Sequence, residues 1–569
     1  MNLIPKVKKL EHREGLLKTK QLTIATPNLD ERLLAALRQL PLGDNGTILE
    51  FEIRDQKSEA YQLDIFEDRI VIQAESCASA FYAIQTLRQI YQDSQIPCLH
   101  IEDRPDFSYR GFYHDMTRGR ISTVATIKKL VADMAYYKLN SLQLYVEHVF
   151  AFEETRSVWA DSNCLTKEDL REIDDYCHAH FIDFIPSLST FGHMRDILEL
   201  DQYRHLRVLK DYRKKANFWE DRMHHHTIDP TEPESFELVK SLINQYAPCF
   251  TSETFNICCD ETFDLKHLGQ KGMDVGELYL GFVEKIASHV QSLGKNVMMW
   301  GDILLQHPQA ITKLPENVEF LNWYYHDDPV RMEQMISTFA KLDRSQIVCP
   351  GTTTWNRFCE DVDLEEINIG KMAELGYKYK ANGVLNTNWG DWGNPCCLEL
   401  GMYGMVLGAA KSWAVDTPVD DRFHAAVDAL LYGCPDGVAL LRQVSRLNAK
   451  MNWCTFARNY FYHRFHEGVG LDLPTEDTVR QIQQTYLSIR DQLEKSKWEA
   501  EEYRRELLLA AETVCVMTEL MAKLAGYTIS RLTDTSNWIK KYAESWRRAN
   551  LESELENILE VFRYFEGAN

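Results

Sequence analysis

The sequence predicts an α/β protein: a (β/α)8 TIM barrel, preceded by a small α+β domain and followed by a helical region. Three observations carry that reading. Eight short apolar runs alternate with helix-patterned stretches between about residues 106 and 415, and eight is the strand number of this barrel. Ahead of them, apolar residues alternate at period two, the pattern of half-buried strands. Beyond about residue 416 strand signals vanish and helical spacing takes over.

In residues 1–105, Leu49, Phe51 and Ile53 alternate, as do Tyr61, Leu63 and Ile65, and then Ile70 and Ile72 after Glu67-Asp68. This is a strand meander. Ala80, Ile84, Leu87 and Tyr91 then recur at helical spacing, and Pro97 and Asp103-Arg104-Pro105-Asp106 punctuate the exit.

The domain over 106–415 opens with a strand over 110–114. Ile127, Leu130, Val131, Met134 and Ala135 mark an amphipathic helix. Strands over 141–146 and 183–188 follow, separated by a helix whose start carries Thr166 and Asp169, close to a capping box. The stretch 189–254 is long and polar and reads as an elaborated βα loop. The fourth strand is expected over 255–259. Leu278, Phe282, Val283, Ile286 and Val290 give the next helix, closed by Gly294. Stretches 297–300, 318–322, 347–349 and 384–388 supply the last four strands. In residues 416–569, Val479, Ile482, Tyr486, Ile489 and Leu493 form a heptad-like seam. It is read first as a cover for the barrel and second as a homodimer contact.

Composition narrows the function. With 63 Lys and Arg against 85 Asp and Glu, the net charge is −22, which argues against binding nucleic acid through a basic face. No run of 18 apolar residues exists, so no membrane span is expected. Met1 to Lys20 is polar and basic, without the apolar stretch of a signal peptide. The 14 cysteines lack the spacing of a small disulfide scaffold, and no pair suggests zinc. Free thiols point to the cytoplasm.

The strand ends carry the chemistry. The first strand carries Arg110, His114, Asp115 and Arg118, and the second ends at Glu147-His148. The third runs into Ser189-Thr190-Phe191-Gly192-His193, and the fourth into Asp260-Glu261. The fifth gives Trp300-Gly301-Asp302, and the sixth Asn322-Trp323-Tyr324-Tyr325. Thr354-Trp355-Asn356-Arg357 follow the seventh, and Asn388-Trp389-Gly390-Asp391-Trp392-Gly393 the eighth. In a barrel of this type these ends converge on one face, where active sites are built. Aromatic faces with carboxylates and an arginine suit a sugar ring, whose C–H face packs on the aromatics while its hydroxyls meet the charges. No P-loop, GxGxxG or Gly-x-Ser-x-Gly appears, so no cofactor is expected. His224-His225-His226 lacks a matching ligand set, so no metal is expected either.

The segments Tyr109-Arg110-Gly111-Phe112, Phe191-Gly192-His193, Asp260-Glu261, Trp300-Gly301-Asp302 and Trp389-Gly390-Asp391 resemble glycoside hydrolase family 20, the exo-acting β-N-acetylhexosaminidases. Leu144-Tyr145-Val146-Glu147-His148 and Asp260-Glu261-Thr262-Phe263-Asp264 resemble the cytoplasmic bacterial branch in particular. The resemblance covers about residues 20–415. Two departures stand out: Cys258-Cys259 where the family often has two glycines, and the loop over 264–269 after its first two residues.

The resemblance implies removal of terminal β-linked GlcNAc or GalNAc from a glycan or glycoconjugate. An ordinary retaining glycosidase sets two carboxyls about 5 Å apart on opposite faces of the sugar, whereas neighbouring side chains on a strand diverge. Adjacent acids suit substrate assistance, in which the 2-acetamido oxygen attacks the anomeric carbon. By resemblance, Asp260 holds the acetamido N–H and Glu261 is the general acid and base. Tyr325, with Tyr324 second, donates to the acetamido oxygen. Trp300, Trp323 and Trp389 wall the acetamido pocket, and Arg110, Asp302 and Asp391 bind the sugar. Glu147, where the family more usually has Asp, orients His193, and His193 holds Glu261. Two other readings compete. One is a retaining glycosidase with Glu147 and Glu261 as its carboxyl pair, and the other an inactive barrel that binds glycans.

Overall fold

The computed structural model describes residues 1–568 apart from 92–94, 160–163, 225 and 467–468. Eight parallel strands close into a barrel: β1 (Tyr109–Asp115), β2 (Ser141–Val146), β3 (Asp183–Leu188), β4 (Thr254–Asn256), β5 (Asn296–Trp300), β6 (Glu319–Trp323), β7 (Gln346–Cys349) and β8 (Gly383–Asn388), with β8 pairing back to β1. Strands β1, β2, β7 and β8 are buried along nearly their whole length, as a sheet covered by helices requires. Tyr113, Tyr145, Ile185, Met298, Trp300, Leu321, Ile347 and Leu385 fill the interior.

One strand is shorter than its apolar run. β4 was expected to reach Cys259 and stops at Asn256. Cys258 and Cys259 have φ of 57° and 64°, which no strand residue adopts.

In the N-terminal domain six strands run in the order Lys9–Lys18, Gln95–Asp103, Tyr61–Ile65, Arg69–Ala74, Thr47–Ile53, Leu22–Ile24. The alternation marks the middle strands and misses Lys9–Lys18, Leu22–Ile24 and Gln95–Asp103. Lys9–Lys18 is an edge strand with a single buried residue, Leu17, so it has no apolar face to read. Pro97 lies inside a strand, not at an exit, opposite Leu16 where the register shifts, a place where a sheet tolerates proline.

Arg110 corrects another expectation. It stands at the start of β1, and its parity is opposite to Tyr109 and Tyr113, which belong to the barrel interior. Its side chain therefore leaves the barrel at the end away from the mouth. The guanidinium donates to both carboxylate oxygens of Glu59 (2.7 and 3.0 Å) and to the carbonyls of Lys138 and Phe107. It lies over the rings of Tyr82 and Trp413 and is fully buried. Arg110 fastens the N-terminal domain to the barrel and does not reach the mouth. A second buried pair, Lys138 with Asp103 (3.1 Å), joins the same two parts.

The C-terminal helices pack against the loops after β3, β7 and β8. Val479, Ile482, Tyr486, Ile489 and Leu493 are the buried residues of the helix Glu476–Lys495, which packs against the helices Glu501–Leu524 and Gly437–Asn448. The seam is closed within the chain and leaves no free face for a second copy, so this feature does not support a dimer.

Arg110→Ala should break a buried bidentate pair and strand the carbonyls of Lys138 and Phe107. We expect unfolding stability to fall by about 3 kcal/mol, with KM unchanged for the folded fraction. Chemical denaturation and steady-state kinetics check this; a raised KM at wild-type stability would return Arg110 to the sugar.

Candidate active site

The site is assembled where β4 stops. Its main chain turns sharply: Cys258, Cys259 and Glu261 all lie in the left-handed region, Glu261 at φ 47°. For residues with a Cβ this costs roughly 1–2 kcal/mol each, so neighbours must hold it. Asn256 Oδ1 accepts the Cys258 N–H at 2.9 Å, the Trp300 N–H reaches the Cys258 carbonyl at 3.0 Å, and Tyr279 donates to the Cys259 carbonyl at 2.9 Å. The cysteine side chains are buried among Tyr113, Ser187 and Thr190. Glycine would adopt this turn freely. Here packing of the two thiols compensates for the strain.

Gly192 is set by the same turn. A Cβ on it would lie 2.4 Å from the Asp260 carbonyl oxygen, so only glycine lets the β3 loop come this close. His193 follows at φ 56°. Its Nε2 sits 3.3 Å from Asp260 Oδ2 and 3.2 Å from Glu261 Oε2. Burial opposes a charged ring, yet Asp260 and then Glu261 outweigh it and push the His193 pKa up to about 10. The imidazolium bridges the two carboxylates at neutral pH.

The pocket above them, about 160 Å3, is lined by Arg118, Met223, Asp260, Glu261, Trp300, Trp323, Tyr325, Trp355, Trp389 and Asp391. Trp323 stacks on Tyr325 (5.2 Å between ring centres, 22° between planes), and Tyr325 leans on Trp355. Trp389 Nε1 donates to the Tyr325 hydroxyl at 2.7 Å, leaving the phenol proton directed elsewhere. Tyr113 packs against both Trp300 and Trp389. A larger cleft, about 550 Å3, lies among the N-terminal domain, the barrel helices and the C-terminal helices and contains none of these residues.

Arg118, and not Arg110, lines the pocket. It lies over the rings of Tyr145 and Trp389, 3.5 Å from Asp391 and 3.6 Å from Asp115. Burial, against the pull of Arg118, pushes the Asp391 carboxyl up to about 6. Asp391 has φ 48° and accepts from Asn356.

Two further residues depart from expectation. Glu147 was expected to orient His193. Its carboxylate instead accepts from Tyr145 (2.7 Å) and faces Arg118 at 4.0 Å; the Tyr145 ring, edge-on, is what meets His193. Strand parity explains this, since Tyr145 points into the barrel and Glu147 stands beyond it on the same face. Asp302 was expected at the sugar. It lies outside the pocket lining, and its Oδ2 accepts the Glu261 N–H at 3.1 Å. Arg118 and Trp355 were visible as strand-end residues; Met223, in the long polar loop, carried no signal. In the His224-His225-His226 run, His226 is buried with its Nε2 on the Asp221 carbonyl, His224 is exposed, and His225 lies outside the described residues.

Among the described residues, two groups, Glu147–His148–Asp196 and His193–Asp260–Glu261, bring metal-ligand atoms within 4.8 Å of one another. Arg118 and Arg222 stand 4.0 Å from carboxylates of the first, and the second already holds a cationic imidazole. Both surroundings disfavour a metal cation.

The C-terminal helices brace the loops that carry the pocket. Trp453 Nε1 donates to the Trp392 carbonyl at 2.7 Å, next to Asp391. The Trp453 ring packs on Trp219 of the β3 loop and on Phe358 of the β7 loop. Arg222, beside the pocket residue Met223, is ion-paired with Glu554.

A closed parallel barrel with an aromatic-walled carboxylate pocket at its mouth is the class that fold and site define. The model for "Glycosyl hydrolase family 20, catalytic domain" matches residues 107–389, and that for "Glycosyl hydrolase family 20, domain 2" matches residues 1–104. The chain belongs to glycosyl hydrolase family 20. Among its relatives, a beta-hexosaminidase of Porphyromonas gingivalis is 25% identical over 407 residues, 64% of this chain and 49% of that protein. Beta-hexosaminidase B of Pseudoalteromonas piscicida is 25% identical over 307 residues, 46% of this chain and 38% of that protein. The chain spans less than half the length of these two curated relatives. The fold is shared with a family 20 exo beta-N-acetylglucosaminidase from Vibrio harveyi, solved with N-acetylglucosamine (TM-score 0.60, 18% identity, 75% of this chain and 76% of that one). It is shared also with a chitobiase from Flavobacterium johnsoniae (TM-score 0.61, 16% identity, 99% of each chain).

The His193 charge makes a prediction for stability. Its folded pKa lies above the ordinary 6.5, so the stabilisation is fully present below that value and is lost as pH rises through about 10. Unfolding free energy should fall by several kcal/mol from neutral to strongly alkaline pH, and His193→Gln should flatten that slope. Denaturant titrations across the range test it; parallel slopes would show that the ring is neutral.

Proposed function

We propose that the protein is an exo-acting β-N-acetylhexosaminidase. It removes terminal, non-reducing β-linked GlcNAc or GalNAc with retention, through an oxazolinium intermediate formed by the substrate's own acetamido group. The observation that carries this is the adjacent pair Asp260-Glu261, both facing one aromatic pocket. With His193 their oxygens lie within 4.8 Å of one another, on one wall and not on opposite faces of a ring. The names of the relatives, beta-hexosaminidase and chitobiase, point the same way.

In this reading a hexosamine ring enters the pocket non-reducing end first. Asp260 accepts the acetamido N–H and stabilises the positive charge that develops as the acetamido oxygen closes on the anomeric carbon. Tyr325, its hydroxyl already accepting from Trp389, donates to that oxygen. Trp300, Trp323 and Trp389 surround the methyl group. Glu261 gives its proton to the departing oxygen and then takes one from water. Arg118 and Asp391 bind ring hydroxyls. His193 keeps both carboxylates in place. A retaining mechanism with Glu147 as nucleophile is disfavoured because Glu147 is buried behind Arg118 and Tyr145, outside the pocket lining. The 14 cysteines, unpaired among the described residues, support a reducing compartment such as the cytoplasm.

A panel of nitrophenyl glycosides tests the proposal. Turnover is expected for the 2-acetamido β-glycosides and essentially none for the 2-hydroxy analogues, because only the former carry the nucleophile. Comparable rates on both sets would favour an enzyme nucleophile, and none on either would favour a binding barrel. Glu261→Gln should lower kcat/KM for disaccharides by about 10²–10⁴; near-wild-type turnover would remove Glu261 from the acid role.

A further inference from the structure

Glu261 holds a main-chain conformation that a glutamate does not adopt unaided. Its φ is 47°, and both of its main-chain polar atoms are engaged. The carbonyl accepts from the Phe263 N–H at 2.8 Å, and the N–H is given to Asp302 Oδ2 at 3.1 Å. Asp302 arrives from the neighbouring strand. Trp300, two residues earlier, lines the pocket, while Asp302 stays out of the lining. Gly301 between them lies where a Cβ would meet the Phe339 ring at 2.7 Å, so the β5 exit is packed in place. Asp302 Oδ1 is buried and makes no hydrogen bond.

We propose that Asp302 is a positioning residue for the catalytic acid, holding the Glu261 main chain in its left-handed turn so that the carboxyl projects into the pocket at the leaving group. The inference rests on the proposed function, since it concerns the step in which Glu261 acts. Without an acceptor, the partly buried Glu261 N–H loses its partner, and the residue relaxes toward extended backbone. That rotation swings the side chain away from the departing oxygen. Asp260 is held independently, by His193 and by the approach of Gly192 to its carbonyl, so acetamido attack is spared. Burial, and then repulsion from Asp260 and Glu261, pushes the Asp302 carboxyl well above the usual carboxylate range. A neutral amide is therefore a fair replacement for it.

The test compares leaving groups. In Asp302→Ala, kcat/KM for a GlcNAc disaccharide, whose alkoxide must be protonated, is expected to drop about tenfold to a hundredfold. The nitrophenyl glycoside, whose leaving group needs no acid, should change by less than about threefold. Asp302→Asn keeps an oxygen at the same reach and should recover the disaccharide to within about threefold of wild type. If the alanine variant does not fold, Asp302→Ser, whose oxygen falls short of the Glu261 N–H, replaces it with the same expectation. Equal slowing of both substrates, no slowing of either, or failure of the asparagine variant to recover would overturn the assignment. Glu261→Gln, run alongside, separates the two claims. If it shows no leaving-group selectivity, the acid role fails and this inference with it. If it does and Asp302→Ala does not, only the role of Asp302 fails.

Discussion

The strained turn after β4 is the constraint on which the site depends. Cys258, Cys259 and Glu261 all take left-handed conformations, and a turn of that kind persists only where its surroundings over-determine it. They do so from both sides. From β3, Gly192 approaches the Asp260 carbonyl and His193 bridges the carboxylates. From β5, the Trp300 N–H takes the Cys258 carbonyl and Asp302 takes the Glu261 N–H. The strain redirects two successive side chains, which would diverge on an extended strand, toward one pocket.

The other domains serve that arrangement at a distance. The N-terminal domain is fixed to the barrel end away from the mouth through Arg110–Glu59 and Lys138–Asp103. The C-terminal helices grip the mouth, where Trp453 ties the loops after β3, β7 and β8 into one aromatic cluster. Long loops move unless their exposed backbone is tied down. The pocket residues Met223 and Asp391 sit beside the tied positions Arg222 and Trp392, so the helical region braces the pocket.

Much of this was legible in the sequence, for identifiable reasons. The barrel strands are buried on both faces and bounded by polar strand ends, so each appears as a short apolar run ending in the residues that gather at the mouth. The places of Asp260, Glu261, Trp300, Tyr325 and Trp389 in the pocket lining, and of His193 beside its carboxylates, are readable this way. What failed depended on parity and on contacts between strands. Arg110 and Arg118 lie close in the sequence, and position along β1 separates them: Arg110 stands at its start and points out to the N-terminal domain, whereas Arg118 lies past its end, in the loop at the mouth, and lines the pocket. From their positions Asp302 looks like a sugar ligand and Glu147 like the partner of His193, yet their actual partners, the Glu261 N–H and the Tyr145 hydroxyl, are set by packing. The charged edge strand over residues 9–18 and the pocket residue Met223 have no periodicity to read.

The central claim is that the nucleophile is the substrate's acetamido oxygen, with Asp260 steering it. The most direct measurement is kcat/KM along a series of aryl 2-acetamido-β-glycosides whose N-acetyl methyl carries zero, one, two or three fluorines. Fluorine withdraws electron density from the carbonyl oxygen and leaves the shape of the group nearly unchanged. The account predicts a steep, monotonic fall in rate across the series, with KM changing little. A flat series, with the trifluoro substrate turned over as fast as the parent, would contradict it and require a nucleophile from the protein.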